Sequence, residues 1–270
     1  MKKTLVIIII GIFLILSQVS AADILPEFTL EDINGDLVSS EELLTKKAVI
    51  IDFWAKWCNP CKKALPHLND LQKKYDDLLN VVCISIDKPR DKDKAKSFVK
   101  SKGYEFITLF DAKKSVSQLL NVNTIPRTYI INNDGEIVYA HEGYTQGDEY
   151  DLETELRKIM FKDITIAQLE EMYPSEERME PTTWVGPDYP AEAHETNIIA
   201  DVILDLEILE DGAVGELCVV SVNADPSYGF EDAAMNAVQQ WVFEPVLIGE
   251  EPVKTRLLYP IRFRIEKYER

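Results

Sequence analysis

Two cysteines spaced three residues apart are the part of this sequence best suited to chemistry. They lie in the string Trp57-Cys58-Asn59-Pro60-Cys61. An apolar run precedes the string and leucines at helical spacing follow it, so both sulfurs are expected on one face of a first helical turn. There the helix dipole and unpaired backbone N–H groups favour an anion. We therefore expect the pKa of Cys58 to lie below the free-thiol value of about 8.5.

This pair predicts thiol–disulfide exchange. Cys58 would attack a substrate disulfide, and Cys61, shielded one turn further along, would resolve the mixed disulfide. Pro60 suits a first helical turn, where a missing N–H costs little. A zinc site needs four ligands, whereas the sequence has no second CxxC and only three scattered histidines, at positions 67, 141 and 194. We expect neither a metal nor another cofactor.

Strands and helices alternate around the pair. The run Ala48–Trp54, interrupted only by Asp52, predicts a strand buried on both faces. Leucines 65, 68 and 71 and Tyr75 predict the helix that follows. Further strands are predicted at 81–86, 106–110, 129–131 and 137–141, and further helices at 91–102, 115–120 and 148–160.

The string Ile51-Asp52-Phe53-Trp54-Ala55-Lys56-Trp57-Cys58-Asn59-Pro60-Cys61-Lys62 resembles the active-site segment of thioredoxins. Over about residues 24–160 the layout is similar to the exported TlpA/ResA branch of that superfamily, which implies an α/β thioredoxin fold. The resemblance implies that Pro126 is a cis-proline facing the disulfide and that Ile125 offers backbone hydrogen bonds to a substrate. It also implies a role for Asp52 in removing the proton of Cys61. Trp57, Pro60 and Arg127, which surround these groups in the sequence, are included as candidate substrate-binding residues. The alternative for Asp52 is a strand carboxylate exposed at a sheet edge.

Two positions depart from the TlpA/ResA pattern. Ala64 stands where that pattern usually has Glu, and Arg127 stands where it usually has Thr. Arg127 is interpreted first as a solvated charge without a special role. The alternatives are that it lowers the pKa of Cys58 or selects acidic partners. Both departures leave the redox chemistry intact and put the family's usual substrates in doubt.

A second unit follows a change of composition. Residues 163–185 are polar, acidic and punctuated by prolines, with one short helix predicted at 166–172, which indicates a linker between a domain at 23–162 and another at 186–270. The tail contains Tyr189-Pro190, Glu210-Asp211-Gly212, a stretch from Ala233 to Pro245 and Tyr259-Pro260-Ile261-Arg262-Phe263. It is similar to the C-terminal domain of TonB, a small α+β fold. That resemblance implies binding of an extended envelope-protein segment by strand addition. A docking module is favoured over a structural appendage, and energy transduction is disfavoured.

The N-terminal residues indicate the cellular compartment, and the charge distribution excludes one class of partner. Residues 1–22 contain Lys2, Lys3, an apolar run and small residues, which predicts a cleaved signal peptide and a soluble protein in the periplasm of a Gram-negative-type bacterium. The alternative is an uncleaved N-terminal anchor. Residues 163–270 carry 23 acidic and 7 basic side chains, so a nucleic-acid partner is excluded. Cys83 and Cys218 lie in apolar runs and are predicted to be buried free thiols.

Two functional hypotheses follow. The first is an enzyme that reduces disulfides of envelope proteins, receives electrons from a membrane donor and is positioned by its C-terminal domain. An oxidase or isomerase direction stays open. The second is an envelope adaptor that binds peptides through the TonB-like domain, with the thiol pair serving regulation.

Overall fold

The computed structural model describes residues 24–174 and 178–265. The first part contains a seven-stranded sheet in the order β2-β1-β5-β4-β3-β6-β7. Its elements are β1 (Thr29–Asp32), β2 (Leu37–Ser39), α1 (Ser40–Leu43), β3 (Ala48–Trp54), α2 (Asn59–Lys74), β4 (Leu79–Ser85), α3 (Lys92–Lys102), β5 (Ile107–Phe110), α4 (Ser115–Leu119), β6 (Arg127–Asn132), β7 (Ile137–Glu142) and α5 (Asp148–Met160). Strands β3, β4 and β5 run parallel, with antiparallel strands on both sides. This is the arrangement that the resemblance to thioredoxins predicts.

Strand β3 lies at the centre and is buried along its whole length, as its apolar run predicts. Its alternating side chains divide between two cores, since successive residues of a strand point to opposite faces. Ile50 and Trp54 pack beneath α2 and α5, whereas Ile51 and Phe53 pack on the opposite face with α1 and α4. The end of β3 that leads into Cys58 is therefore held rigidly.

The C-terminal part is a small α+β unit with its own core. It follows α6 (Ile166–Met172) and contains α7 (Ala191–Glu195), β8 (Ala200–Ile208), β9 (Val214–Val222), α8 (Phe230–Val238), β10 (Val246–Ile248), β11 (Glu251–Val253) and β12 (Thr255–Phe263). Strands β12, β8 and β9 form an antiparallel sheet, with β8 in the middle. Helix α8, Trp241 and Phe243 cover one face of that sheet. The sequence analysis missed α1, α7 and the β10–β11 hairpin.

The other face of this sheet packs against the first domain. Ile203 and Leu258 share a core with Leu156 and Met160 of α5 and with Leu169 of α6. The predicted linker at 163–185 thus contains a helix whose Leu169 is completely buried. Among residues 24–174 and 178–265, no helix is both long and apolar enough to cross a bilayer. The predicted signal peptide at 1–22 lies outside the described residues.

Candidate functional site

The two cysteines form a disulfide at the start of α2. Their Cα atoms lie 5.3 Å apart. Cys58 is the N-cap residue, and its Sγ accepts a hydrogen bond of 3.2 Å from the backbone N–H of Cys61. Pro60 lies in the first turn of α2, as predicted. Cys61 is completely buried and Cys58 retains slight exposure, so Cys58 is the sulfur nearer to a substrate.

A cis-proline faces the disulfide. The Ile125–Pro126 peptide bond is cis, as the resemblance implied. The carbonyl oxygen of Ile125 lies 3.8 Å from Sγ of Cys58. Arg127, the next residue, begins β6 and pairs with Phe53 of β3, so the proline loop lies at the sheet edge where β3 ends. An extended segment bound along Ile125 would run beside the sulfur of Cys58.

Asp52 lies inside the sheet under α2. Neighbouring positions in the strand register are Thr128 on β6 and Cys83 on β4. The hydroxyl of Thr128 donates a hydrogen bond of 2.8 Å to Oδ1 of Asp52, and Oδ2 has no partner among the described residues. Complete burial raises the pKa of Asp52 to about 7, although the hydrogen bond from Thr128 opposes the shift. The alternative of an edge-exposed carboxylate is therefore wrong.

Cys83 is a buried free thiol beside Asp52. Burial, together with the neighbouring Asp52 carboxylate, raises the pKa of Cys83 well above its ordinary value. A thiol in this environment stays protonated and acts as a small apolar side chain. Cys218, the other free cysteine, is only partly buried on β9, an outer strand of its sheet, so the prediction of a buried thiol is wrong for Cys218.

A narrow cavity of about 30 Å³ lies between α2, β6, β7 and α5. Ala64, His67, Thr128 and His141 contribute to its wall, so it adjoins the hydroxyl that is bonded to Asp52. Ala64 opens this space at the position where the TlpA/ResA pattern has Glu. His67 and His141 are far apart in the sequence but both line this cavity, and His141 is hydrogen-bonded to Asp148 at 3.0 Å. No sequence signal relates them, because α2 and β7 meet only in the folded chain.

The remaining predicted residues surround the disulfide at the surface. The side chain of Trp57 is 67% exposed next to Cys58, and Pro60 is also exposed. Arg127 is half-buried, with NH1 3.3 Å from Oε2 of Glu142 and its guanidinium stacked over the ring of Tyr129. Both contacts hold the guanidinium beside the proline loop, so the charge of Arg127 is paired with Glu142 rather than freely solvated, and its role in substrate binding stays a prediction.

Comparisons with known proteins assign the two parts of the chain to two different families. The model of the AhpC/TSA family matches residues 21–140, and the model described as the Gram-negative bacterial TonB protein C-terminal matches residues 185–265. The chain is similar to the thioredoxin-like protein YneN of Bacillus subtilis, with 34% identity over 44% of this chain and 69% of YneN. It is 30% identical to the thiol-disulfide oxidoreductase ResA of Bacillus thuringiensis, over 50% of this chain and 75% of ResA.

One solved structure is similar to the N-terminal half of this chain. It is an uncharacterized thioredoxin-like protein from Porphyromonas gingivalis, 30% identical, with a TM-score of 0.45 over 50% of this chain and 91% of that one. These matches to relatives cover half of this chain or less. The similarity of the C-terminal part to known proteins therefore rests on the TonB C-terminal family model.

Proposed function

Because the chain belongs to the thioredoxin-like thiol–disulfide oxidoreductases, the family of YneN and ResA, we propose that it reduces disulfides of exported proteins in the bacterial envelope. The observation that carries the proposal is the arrangement of Cys58 and Cys61 at the start of α2, opposite a cis-proline and above a buried carboxylate. Its substrates would be proteins, and each turnover would require a fresh pair of electrons.

The proposed cycle begins with the dithiol form. The Cys58 thiolate attacks one sulfur of a substrate disulfide, which forms a mixed disulfide and releases the other substrate sulfur as a thiolate. Cys61 then gives its proton to Asp52 and attacks the sulfur of Cys58, releasing the second substrate thiolate. The substrate has gained two electrons, and the protein is left with the Cys58–Cys61 disulfide. A membrane dithiol donor is proposed to return two electrons and restore the starting form.

Substrate positioning is assigned to the surface around the sulfur. Backbone groups of Ile125 would pair with an extended substrate segment, and exposed Trp57 would cover its other side. Pro126 has no backbone N–H that could compete with the substrate for hydrogen bonds beside the sulfur of Cys58. Arg127 is held next to it by the ion pair with Glu142. Export to the periplasm through a signal peptide at residues 1–22 is part of the same proposal.

The reduction potential of the pair tests the direction of electron flow. The protein would be equilibrated in dithiothreitol or glutathione buffers, with Cys61→Ser as the variant unable to form the disulfide. A potential below about −220 mV is expected for a reductase. A value near about −120 mV would assign an oxidase instead. A pair that does not titrate reversibly would refute redox catalysis altogether.

Peptide docking by the C-terminal unit is a second proposed function. Strand β12 pairs with β8 on one side and forms an edge of its sheet among the described residues. Trp184, Trp241, Tyr259 and Arg262 line a groove at this strand. Strand addition would be tested by the affinity of extended envelope peptides for the wild type and for Trp184→Ala. Equal affinities would contradict docking at this groove.

A further inference from the structure

The charge around the redox site has the opposite sign to that of the whole chain. The formal net charge is −18, yet the segments that approach Cys58 are rich in lysine and arginine. The carboxyl ends of β3, β4 and β5 lie at one edge of the sheet, because these strands are parallel and adjacent. The segments that leave these three ends therefore form one surface, which we call the catalytic edge: residues 55–63, 86–92 and 111–114.

The catalytic edge carries eight basic and three acidic side chains. The basic residues are Lys56, Lys62, Lys63, Lys88, Arg90, Lys92, Lys113 and Lys114. Arg127 adds a ninth basic group beside Cys58, where it is paired with Glu142.

The three acidic residues offset only part of the positive charge at this edge. Asp87 is buried and accepts hydrogen bonds from the backbone N–H of Lys56 and from Ser85. Asp111 is buried and accepts backbone N–H bonds at the start of α4. Asp91 is paired with Arg90 and Lys94. Asp87 and Asp111 thus hold the backbone of these segments through hydrogen bonds, and Asp91 pairs with two neighbouring cations.

Six lysines of the edge have no carboxylate within 4 Å among residues 24–174 and 178–265: Lys56, Lys62, Lys63, Lys88, Lys113 and Lys114. Lys63, Lys88, Lys113 and Lys114 are also exposed. Since adjacent strands are about 4.8 Å apart, the end of β5 lies roughly 10 Å from that of β3. This is comparable to the Debye length of about 8–10 Å at physiological salt, so all three segments contribute to the potential at the sulfur.

Helix termini reinforce the same sign. Helices α2 and α3 both begin at this edge, and their N-termini carry partial positive charge. The acidic groups that follow β7 are engaged elsewhere: Asp148 with His141 and Glu149 with Tyr144.

We infer that the catalytic edge selects substrate disulfides flanked by acidic residues, with Lys88 and Lys113 as specificity determinants outside the redox machinery. This deepens the proposed function and rests on it. Electrostatic attraction would act chiefly on encounter, which complementary charge can accelerate by 10-fold or more at low salt. Salt would suppress it, because the lysines are solvated.

The test compares two disulfide peptides with the same cysteine spacing, one flanked by Asp and Glu and the other by Lys. Their kcat/KM values are measured with the full chain, recharged by dithiothreitol, at about 20 mM and about 500 mM salt, where the Debye length is long and short respectively. An acidic preference of about 10-fold or more at low salt is expected, falling towards parity at high salt.

A matched pair of double variants locates the effect. Lys88→Glu with Lys113→Glu reverses two charges at the catalytic edge. Lys100→Glu with Lys102→Glu makes the same change at the far end of α3, about 15 Å away along its axis. The first variant should abolish the acidic preference and the second should retain it.

Other outcomes separate this inference from the proposed function. Equal rates for the two peptides, or equal effects of the two double variants, would overturn the inference alone. An uncharged small disulfide serves as reference: charge reversal at the catalytic edge alters its reduction only through the reactivity of the Cys58 thiol, so each peptide rate is divided by the rate with this disulfide. Failure of the wild type to reduce even this disulfide would instead refute the proposed function.

Discussion

Replacing the buried carboxylate under α2, Asp52→Asn, is expected to stabilise the oxidised protein and to slow its catalysis. In the unfolded chain this carboxyl ionises near 3.8, whereas in the folded chain burial raises the pKa to about 7. Between these values the unfolded state loses its proton first, so the stability of the wild type falls as pH rises through this window. Asparagine has nearly the same shape and can keep the contact with Thr128, but it never ionises.

The magnitude follows from the two pKa values. The difference between 3.8 and about 7 corresponds to about 4 kcal/mol of folding free energy above pH 7. The advantage of Asp52→Asn should therefore be close to zero below pH 4 and approach about 4 kcal/mol at pH 8. Urea unfolding of the oxidised forms at several pH values measures it. Asp70→Asn, at an exposed position of α2, is the control and should change stability by less than about 0.5 kcal/mol at every pH.

The same substitution removes the proposed proton acceptor for Cys61. General-base catalysis contributes about 10²-fold or more, so the turnover of a peptide disulfide by Asp52→Asn should fall by about that factor at pH 7.5. Wild-type kcat should rise through pH 7 and level off, and the variant should lack this inflection. Unchanged stability at pH 8 would refute the assignment of a desolvated, ionisable Asp52, and unchanged kcat would refute its role as the base.

Three further outcomes test other parts of the structure. Cys61→Ser should accumulate mixed disulfides between Cys58 and substrate that are detectable by mass spectrometry under non-reducing conditions, and their absence would contradict the assignment of the two sulfurs. Asp205→Ala removes the buried carboxylate that pairs with both Arg157 and Arg256, and it should cost about 3–5 kcal/mol in urea unfolding even though Arg256 keeps its contacts with Thr154 and Glu216. Asp201→Ala, at a partly exposed pair, should cost less than about 1 kcal/mol. Trp57→Ala should leave the unfolding midpoint equal to that of the wild type, since the side chain of Trp57 is largely exposed. The same substitution should raise KM for peptide disulfides. An unchanged KM would exclude Trp57 from the substrate surface.

The parts of the fold that the sequence predicted well are those with strong local patterns. The apolar run Ala48–Trp54 became a fully buried strand, because only a strand covered on both faces accommodates it. Helix α2 was predicted from its leucines, and it continues through Pro66 despite an interior cost of about 3 kcal/mol, since Leu65 and Leu68 are buried on either side. In these cases local pattern and tertiary packing agree.

The features that the sequence could not supply depend on contacts between distant segments. The cis geometry of Pro126 was accessible only through resemblance, since an X–Pro bond adopts cis in a minority of cases. The cavity shared by His67 and His141 exists only once α2 packs against β7. The polar composition of 163–185 predicted a linker, but composition does not show that Leu169 finds a buried site against another domain's sheet.

Helix α2 joins the redox site to the domain interface. Its N-terminus carries Cys58, and about 24 Å away its C-cap is Tyr75. The hydroxyl of Tyr75 accepts a hydrogen bond of 2.6 Å from Arg157 of α5, whose Nε donates to Asp205 on β8 at 2.8 Å. All three side chains are buried, and separating the domains would expose Leu156 and Leu258 to water. The C-terminal sheet is therefore fixed relative to Cys58 by packing, so a protein bound along β12 would reach the redox pair from one constant direction.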